Sequence, residues 1–180
     1  MSGSTVYYVA QSLDGFIADR DGALDWLLDF GFDDFQQQYD EFLVSVGAIV
    51  MGAGTYRWLA AQGEPWSYTG TPTWVLTSRE LPRINGAEYA AAYDPAAAFG
   101  AARDAAGDRD VWVMGGGSTA ASLIDLGLID ALHLTVMPVT LGAGTHVLPH
   151  SARSILWQLE SSAPIGSAGA VELRYRRRSS

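Results

Sequence analysis

The chain has 180 residues, of which 48% are hydrophobic and 11% aromatic, so it can bury a sizeable core, and we expect one domain over residues 1–180. Its formal net charge of −9 argues against a nucleic-acid-binding protein, which normally carries a basic face. Cysteine is absent, which excludes disulfides and thiolate catalysis. No apolar run reaches the length of a membrane span and the N-terminus lacks a signal-peptide pattern, so we expect a soluble, cytoplasmic protein.

Strand-like and helix-like segments alternate along most of the chain. Short apolar runs predict buried strands, and apolar residues at helical spacing predict amphipathic helices. In chain order the expected elements are a strand at 6–10, a loop at 11–22, a helix at 33–46, a strand at 48–51, a helix at 56–61, strands at 73–77 and 88–91, a helix at 96–106, a strand at 111–114, a helix beginning after Gly117, and strands at 131–139, 155–161 and 170–176.

This order ends differently from a doubly wound sheet. The last two strands flank a turn at 164–169, and Val171, Leu173 and Tyr175 alternate with polar residues, as in a half-buried strand of a hairpin. The sequence therefore predicts an α/β protein whose sheet is mostly parallel at its centre and antiparallel at one edge.

Two strand-to-helix junctions are rich in glycine. The first follows the strand at 48–51 and reads Gly52-Ala-Gly-Thr55, and the second follows the strand at 111–114 and reads Gly115-Gly-Gly-Ser-Thr119. Glycines let backbone N–H groups approach a ligand closely, and a helix N-terminus adds unpaired donors and a positive dipole end. Such junctions predict a phosphate site; the alternative is a tight turn that binds nothing.

Five motifs occur in the order seen in a known family: Ser12-Leu-Asp-Gly-Phe-Ile-Ala18, Val50-Met-Gly-Ala-Gly-Thr-Tyr56, Val75-Leu-Thr-Ser78, Val113-Met-Gly-Gly-Gly117 and Pro138-Val-Thr-Leu-Gly-Ala-Gly144. Together they resemble the dihydrofolate reductase-like superfamily, in particular the reductase domain of the bifunctional riboflavin-biosynthesis deaminase/reductase. The resemblance implies a three-layer fold with a central, mostly parallel eight-stranded sheet, four helices and a C-terminal antiparallel hairpin. It also implies a homodimer.

The resemblance further implies NADPH as the cofactor and hydride transfer to a small heterocycle, either pterin- or dihydrofolate-like or like the aminopyrimidine of the riboflavin pathway. Ala10 and Ile17 would flank the nicotinamide. The glycine junctions would hold the phosphates, with a cis peptide between Gly115 and Gly116, and the end of the strand at 73–77 would receive the adenosine ribose and its 2′-phosphate. The implied cofactor-binding residues are Ala10, Ile17, Gly52, Gly54, Thr55, Leu76, Thr77, Ser78, Arg79, Met114, Gly115, Gly116, Gly117, Ser118 and Thr119.

The chain departs from the family at two places. Folate reductases usually carry an arginine after the glycine of the first junction, where this chain has Ala53, so Arg79 would supply the charge on the 2′-phosphate. Folate reductases also place a buried acid after a tryptophan of the mobile loop. Trp26 matches that tryptophan, but no aspartate matches the acid cleanly. The candidate catalytic residues are Asp14, Asp29 and Asp33, with Asp34 a further possibility.

Each of these aspartates also has a structural interpretation. Asp33 is placed to cap the helix at 33–46, and Asp14 is placed to form an Asp-Gly turn. Water could supply the proton instead. The expected substrate pocket includes Tyr8, Trp26 and Tyr56, and the spacing of the three histidines matches no metal motif.

Two other functions remain open at this point. A Rossmann-type dehydrogenase is one, because Gly115–Ala120 satisfies G-x-G-x-x-A, although Asp130 comes too early for the acidic residue of that fold. A non-catalytic NADP-binding module is the other, because the acid is uncertain.

Overall fold

A computed structural model of the chain describes residues 3–149 and 154–178. The strands are β1 (Thr5–Ser12), β2 (Phe16–Ala18), β3 (Val46–Gly52), β4 (Thr73–Leu76), β5 (Ala90–Ala92), β6 (Asp110–Met114), β7 (Ala131–Met137), β8 (Thr145–His146), β9 (Trp157–Ile165) and β10 (Ala170–Arg177). The helices are α1 (Asp25–Leu28), α2 (Gln36–Ser45), α3 (Ala53–Ala61), α4 (Pro95–Ala106) and α5 (Gly117–Asp125), with a 3₁₀ turn at Asp33–Phe35.

Eight strands form one sheet in the order β5-β4-β3-β6-β1-β7-β10-β9. Neighbouring strands from β5 to β7 run parallel, and β10 runs antiparallel to both β7 and β9. All seven residues of β3 are buried, as expected of a central parallel strand covered on both faces. The predicted mostly parallel sheet with an antiparallel hairpin edge is therefore confirmed.

Helices cover both faces of this sheet, which makes three layers. On one face α4 and α5 pack Phe99 and Leu123 against residues such as Val113. On the other face α2 and α3 pack Phe42 and Tyr56 against residues such as Met51. Four of the five described helices have nine or more residues, and α1 is a single turn. In the described part of the chain, no helix is both long and apolar enough to cross a bilayer.

Two local predictions need correction and one is confirmed. Asp33 does not cap the predicted helix, because it opens the 3₁₀ turn and α2 begins only at Gln36, without a side-chain cap. The segment Phe16–Ala18, expected to be loop, forms β2 and pairs with β8 in a second small sheet. The pair Asp94-Pro95 predicts an N-cap followed by a favoured first helical residue, and this prediction is confirmed, because Oδ1 of Asp94 accepts a hydrogen bond of 2.9 Å from the N–H of Ala96 at the start of α4.

Candidate active site

The two glycine junctions lie side by side at the carboxyl ends of β3 and β6. These strands are neighbours, and the register pairs Met51 with Met114 immediately before the glycines. Helix α3 begins at Ala53 and α5 at Gly117, and neither N-terminus has a side-chain cap. The positive ends of two helix dipoles and their free first-turn N–H groups therefore meet at one edge of the sheet.

Two threonines join the junctions. A Cβ on Gly115 would lie 2.7 Å from Oγ1 of Thr55, so Thr55 of α3 rests on the second glycine turn. Conversely, a Cβ on Gly52 would overlap Oγ1 of Thr119, so Thr119 of α5 rests on the first junction. Each junction thus needs a small residue where the other junction contacts it.

The expected cis peptide between Gly115 and Gly116 is wrong, because the described residues contain only trans peptide bonds. Both glycines have φ of 62°, in the left-handed region, and this conformation turns the chain between β6 and α5. Gly117 is also constrained by packing. It is buried, and a Cβ there would overlap the carbonyl oxygen of His146, so packing against this loop requires glycine.

A cavity of about 220 Å³ opens beside the junctions. Six of the residues expected to bind the cofactor line it, namely Ala10, Ile17, Gly54, Thr55, Gly115 and Gly116. Leu24, Leu27 and Trp58, which are not among the residues implied to bind the cofactor, complete a largely apolar wall. Trp58 could have been found from the sequence, because it follows Thr55 by three residues and so lies on the same face of α3.

A second cavity, of about 390 Å³, lies at the end of β4, and its lining includes Leu76, Thr77, Ser78 and Arg79. Thr77 shapes this strand end, since its Oγ1 accepts the N–H of Arg79 at 3.1 Å and donates to the carbonyl of Arg79 at 3.0 Å. Four of the seven residues that line this cavity are therefore ones implied to bind the cofactor.

Arg57 also lines this second cavity, together with Ala53 and the exposed Tyr93. Folate reductases usually carry an arginine at the position of Ala53, and the sequence suggests Arg79 alone as its replacement. Arg57 follows Ala53 by four residues, so both lie on one face of α3. Two arginines, one from α3 and one from the end of β4, therefore line one cavity.

Several other residues implied to bind the cofactor or the substrate line neither of these two cavities. Met114 ends β6 with its side chain in the core, and Ser118 lies exposed in the first turn of α5. Trp26 is half-buried in α1, and its indole Nε1 has no hydrogen-bond partner among the described residues. Tyr56 is fully buried against Tyr89, 4.8 Å between ring centroids, so its assignment to the substrate pocket is corrected to the core.

Asp14 holds a loop and is unsuited to donate a proton. Its carboxylate accepts hydrogen bonds from Ser12 Oγ at 2.6 Å, from the N–H of Leu141 at 3.0 Å and from the N–H of Gly142 at 2.7 Å. These bonds, that of Ser12 first, lower the pKa of Asp14 to about 2. The group is ionised near neutral pH, which corrects its assignment as an acid and agrees with its interpretation as a turn residue.

The remaining aspartates also lie away from the cavity beside the glycine junctions. Asp29 is exposed at the end of α1, and Asp33 is exposed in the 3₁₀ turn. Asp34 accepts hydrogen bonds from the N–H and Oγ of Ser167 at 2.6 and 2.9 Å, which tie this turn to the β9–β10 hairpin and lower its pKa. The structure therefore brings none of the predicted carboxylates to the cavity lining.

The chain is similar in sequence to known proteins. The chain is 29% identical over 182 residues to the uncharacterized protein YwjB of Bacillus subtilis, covering 98% of this chain and 99% of that protein. It is 26% identical over 176 residues to the riboflavin biosynthesis protein RibD of Corynebacterium ammoniagenes, covering 89% of this chain and 50% of that protein.

Solved structures share the fold. A putative riboflavin biosynthesis protein from Shewanella sp. PV-4 superposes with a TM-score of 0.83 at 23% identity, covering 98% of this chain and 99% of that one. Dihydrofolate reductase from Enterococcus faecalis, complexed with NADP(H), superposes with a TM-score of 0.65 at 19% identity, covering 99% of both chains. The fold is thus that of the dihydrofolate reductase-like proteins.

The family assignment comes from the sequence itself. Residues 61–169 match the family model of the RibD C-terminal domain. This span runs from the end of α3 to the turn of the C-terminal hairpin, and it includes the strand end at Thr77–Arg79 and the second glycine junction. The chain therefore belongs to the RibD C-terminal domain family.

Proposed function

We propose that the protein is an NADPH-dependent reductase that transfers a hydride to a small heterocycle of the pterin or aminopyrimidine type. The observation that carries the proposal is the contact between the two glycine junctions, which brings two uncapped helix N-termini together beside an apolar cavity. This arrangement suits a pyrophosphate at the helix ends and a flat ring in the cavity.

The residues present fit each part of the cofactor. The first-turn N–H groups of α3 and α5 would hold the phosphates, and Ala10 and Ile17, together with Thr55, would lie against the nicotinamide. Bound NADPH supplies the hydride from C4 of its nicotinamide ring. The apolar side chains of Leu24, Leu27 and Trp58 would exclude water from that ring. We assign the accompanying proton to water, because none of the candidate carboxylates lines the cavity.

The preference for NADPH over NADH rests on Arg57 and Arg79. Both line the cavity at the end of β4, where the 2′-phosphate is expected, and guanidinium groups suit bidentate contact with a phosphate. The 2′-phosphate is the group that distinguishes the two cofactors. A pair of arginines facing it would therefore favour NADPH.

Cofactor titration followed by tryptophan fluorescence tests this proposal, since Trp58 lines the cavity. We expect NADPH to quench the signal at lower concentration than NADH. Replacing both arginines with alanine should weaken NADPH binding by about tenfold or more, the effect of losing hydrogen bonds to a charged group, and leave NADH binding unchanged. Arg178→Ala, on an exposed arginine at the end of the chain, is the matched control.

Turnover is tested by the loss of NADPH absorbance with dihydrofolate and with the riboflavin-pathway aminopyrimidine. Oxidation that depends on either ring supports a reductase of this type. Tight NADPH binding without oxidation by any pterin or pyrimidine would favour a non-catalytic NADP-binding module. Equal affinity for NADH in the wild-type protein would contradict the assignment of Arg57 and Arg79.

A further inference from the structure

A polar patch lies on the face of the sheet that α2 covers. Strand register aligns Tyr8 of β1 with His133 of β7 and Arg174 of β10, and it aligns Ala10 with Thr135 and Glu172. Residues two apart on a strand point to the same face, so both rows share it. We call the five polar members of these rows the polar floor: Tyr8, His133, Thr135, Glu172 and Arg174.

Glu172 and Arg174 form the charged centre of the polar floor. Two hydrogen bonds join them, from Nε of Arg174 at 2.9 Å and from Nη2 at 3.1 Å. The side chain of Glu172 is 10% exposed and that of Arg174 is 40% exposed. A buried carboxylate needs such a partner, and the paired geometry holds both groups in place while Arg174 remains accessible.

The polar floor continues to Tyr8 and His133 beneath α2. The ring of Tyr8 packs on Phe42 of α2, 4.4 Å between centroids, and its edge meets His133. Burial and then Glu172 raise the pKa of Tyr8, while Arg174 and a hydrogen bond with Thr135 oppose the shift. Nδ1 of His133 is buried without a hydrogen-bond partner among the described residues. The patch therefore contains an unused polar atom as well as the charged pair.

The polar floor adjoins the cavity expected to hold the nicotinamide. Ala10 lines that cavity and is the β1 member of the row that contains Thr135 and Glu172. Two strand spacings separate Ala10 from Glu172, roughly 10 Å. Tyr8 lies two residues before Ala10 on the same face. A ring stacked beside the nicotinamide would thus extend its far edge toward Tyr8 and Thr135.

We infer that Glu172 and Arg174, on the last strand, recognise the polar edge of the substrate. This inference rests on the proposed reductase function. The carboxylate accepts ring N–H groups and the guanidinium donates to a ring carbonyl, so the pair fits a lactam edge. Because the two charges balance, the pair has no net charge, and it favours a neutral ring over an anion or a cation, either of which would lose hydration without meeting a net opposite charge.

Calorimetric titration of uracil and pterin, with and without NADPH, tests the inference. Each probe is a neutral ring with a lactam edge. We expect Glu172→Gln to weaken binding of both probes by about tenfold or more, since a charged acceptor is lost, and to leave NADPH affinity unchanged. Glu160→Gln is the matched control, because Glu160 pairs with Arg176 at 2.6 Å on the exposed edge of the same hairpin. It should change neither affinity.

Benzoate and benzamidine extend the same experiment to charged rings. Binding of either as tightly as uracil would overturn the charge-balance argument, and a Glu172→Gln protein that binds both probes like wild type would overturn the inference. If neither uracil nor pterin binds while NADPH binds normally, the inference about Glu172 and Arg174 is overturned and the cofactor proposal stands. If the two probes bind and NADPH does not, the proposed function is contradicted, and the probe titrations still test the inference.

A circular dichroism spectrum and a thermal melt establish that each variant is folded. If Glu172→Gln fails to fold, Arg174→Lys serves in its place, because it keeps the positive charge and loses the paired geometry. We expect Arg174→Lys to weaken probe binding severalfold. Wild-type affinity in that variant would count against the inference.

Discussion

Gly115 is one of the two glycines at which the two glycine junctions contact each other. Its φ of 62° disfavours any side chain, and Thr55 fills the space that a Cβ would need. The requirement for glycine is therefore set both by the backbone and by the neighbouring helix. The same contact fixes the separation of the first turns of α3 and α5, on which phosphate binding depends in our proposal.

Replacing Gly115 with alanine should separate these helix ends. The left-handed conformation would cost about 1–2 kcal/mol, and the new Cβ would force Thr55 to move. We expect a folded, less stable protein whose NADPH affinity falls by about tenfold or more, measured by fluorescence titration and a thermal melt. Gly100→Ala is the control, because a Cβ there meets no atom within 4 Å and alanine suits a helix. Unchanged NADPH affinity in Gly115→Ala would mean that the turn binds no cofactor.

Individual residues were predictable where a local pattern determines their position. The glycines qualify because each follows a buried strand and precedes a helix, and Arg57 and Trp58 could have been found by helical spacing from Ala53 and Thr55. The burial of Glu172 could not be predicted. Its alternation with Val171 and Leu173 shows which residues share a face of the strand but not which face the rest of the protein covers. In the structure Glu172 is buried and Val171 is 36% exposed, so the polar side of β10 is buried at this point.

At the scale of elements, the loop after β1 is fastened to the loop after β7. Strand β2 pairs with β8, and Asp14 binds the N–H groups of Leu141 and Gly142. Ile17, on β2, lines the cavity beside the glycine junctions. Holding the two loops together therefore shapes the wall against which the nicotinamide would lie.

Asp14→Asn should loosen this attachment. The amide of asparagine carries no charge. Its NH₂ group cannot accept a hydrogen bond, so one of the two backbone N–H groups that Asp14 binds would lose its acceptor. Because the hydrogen bonds, that of Ser12 first, lower the pKa of Asp14 from its ordinary 3.8 to about 2, they stabilise the fold above pH 3.8, and this stabilisation is lost as the pH falls toward 2. We expect faster hydrogen exchange at 141–147 and a lower Tm at pH 7, with the Tm difference from wild type shrinking toward pH 2.

Asp21→Asn provides the control for this change, because Asp21 is an exposed aspartate on the same loop. It should exchange like the wild type. If Asp14→Asn also matched the wild type at pH 7, the carboxylate would not be what joins the loops. If the turnover rate falls as the pH drops just below neutrality, the group that is protonated there must be another one, since Asp14 stays ionised at that pH.

Most elements were predictable because their hydrophobic periodicity is strong. The strands of the sheet and the helices α2 to α5 occur in the expected order, with ends shifted by a few residues. The pairing of β2 with β8 was not predicted, because these segments have three and two residues and lie more than 120 positions apart. No local pattern encodes so short a contact. Its stability comes from the packing of the two loops.

At the scale of the whole molecule, the two edges of the sheet differ. Strand β5 forms one edge with only three residues, and a short edge offers little backbone to a partner. Strand β9 forms the other with nine residues, of which seven are exposed, and among the described strands it pairs only with β10. Leu156 and Leu159 add exposed apolar surface there. This edge is the better candidate for the homodimer contact that the sequence resemblance implied.

We expect the protein to form a dimer at micromolar concentration through β9. Light scattering should give twice the mass of the chain. Leu159→Lys should give the mass of one chain, because a charge in the middle of an edge strand opposes pairing with another strand. Val44→Lys is the matched control, since Val44 is an 80% exposed valine on α2, and it should remain dimeric. A monomeric wild-type protein would rule out the dimer, and a dimeric Leu159→Lys protein would place the contact on another surface.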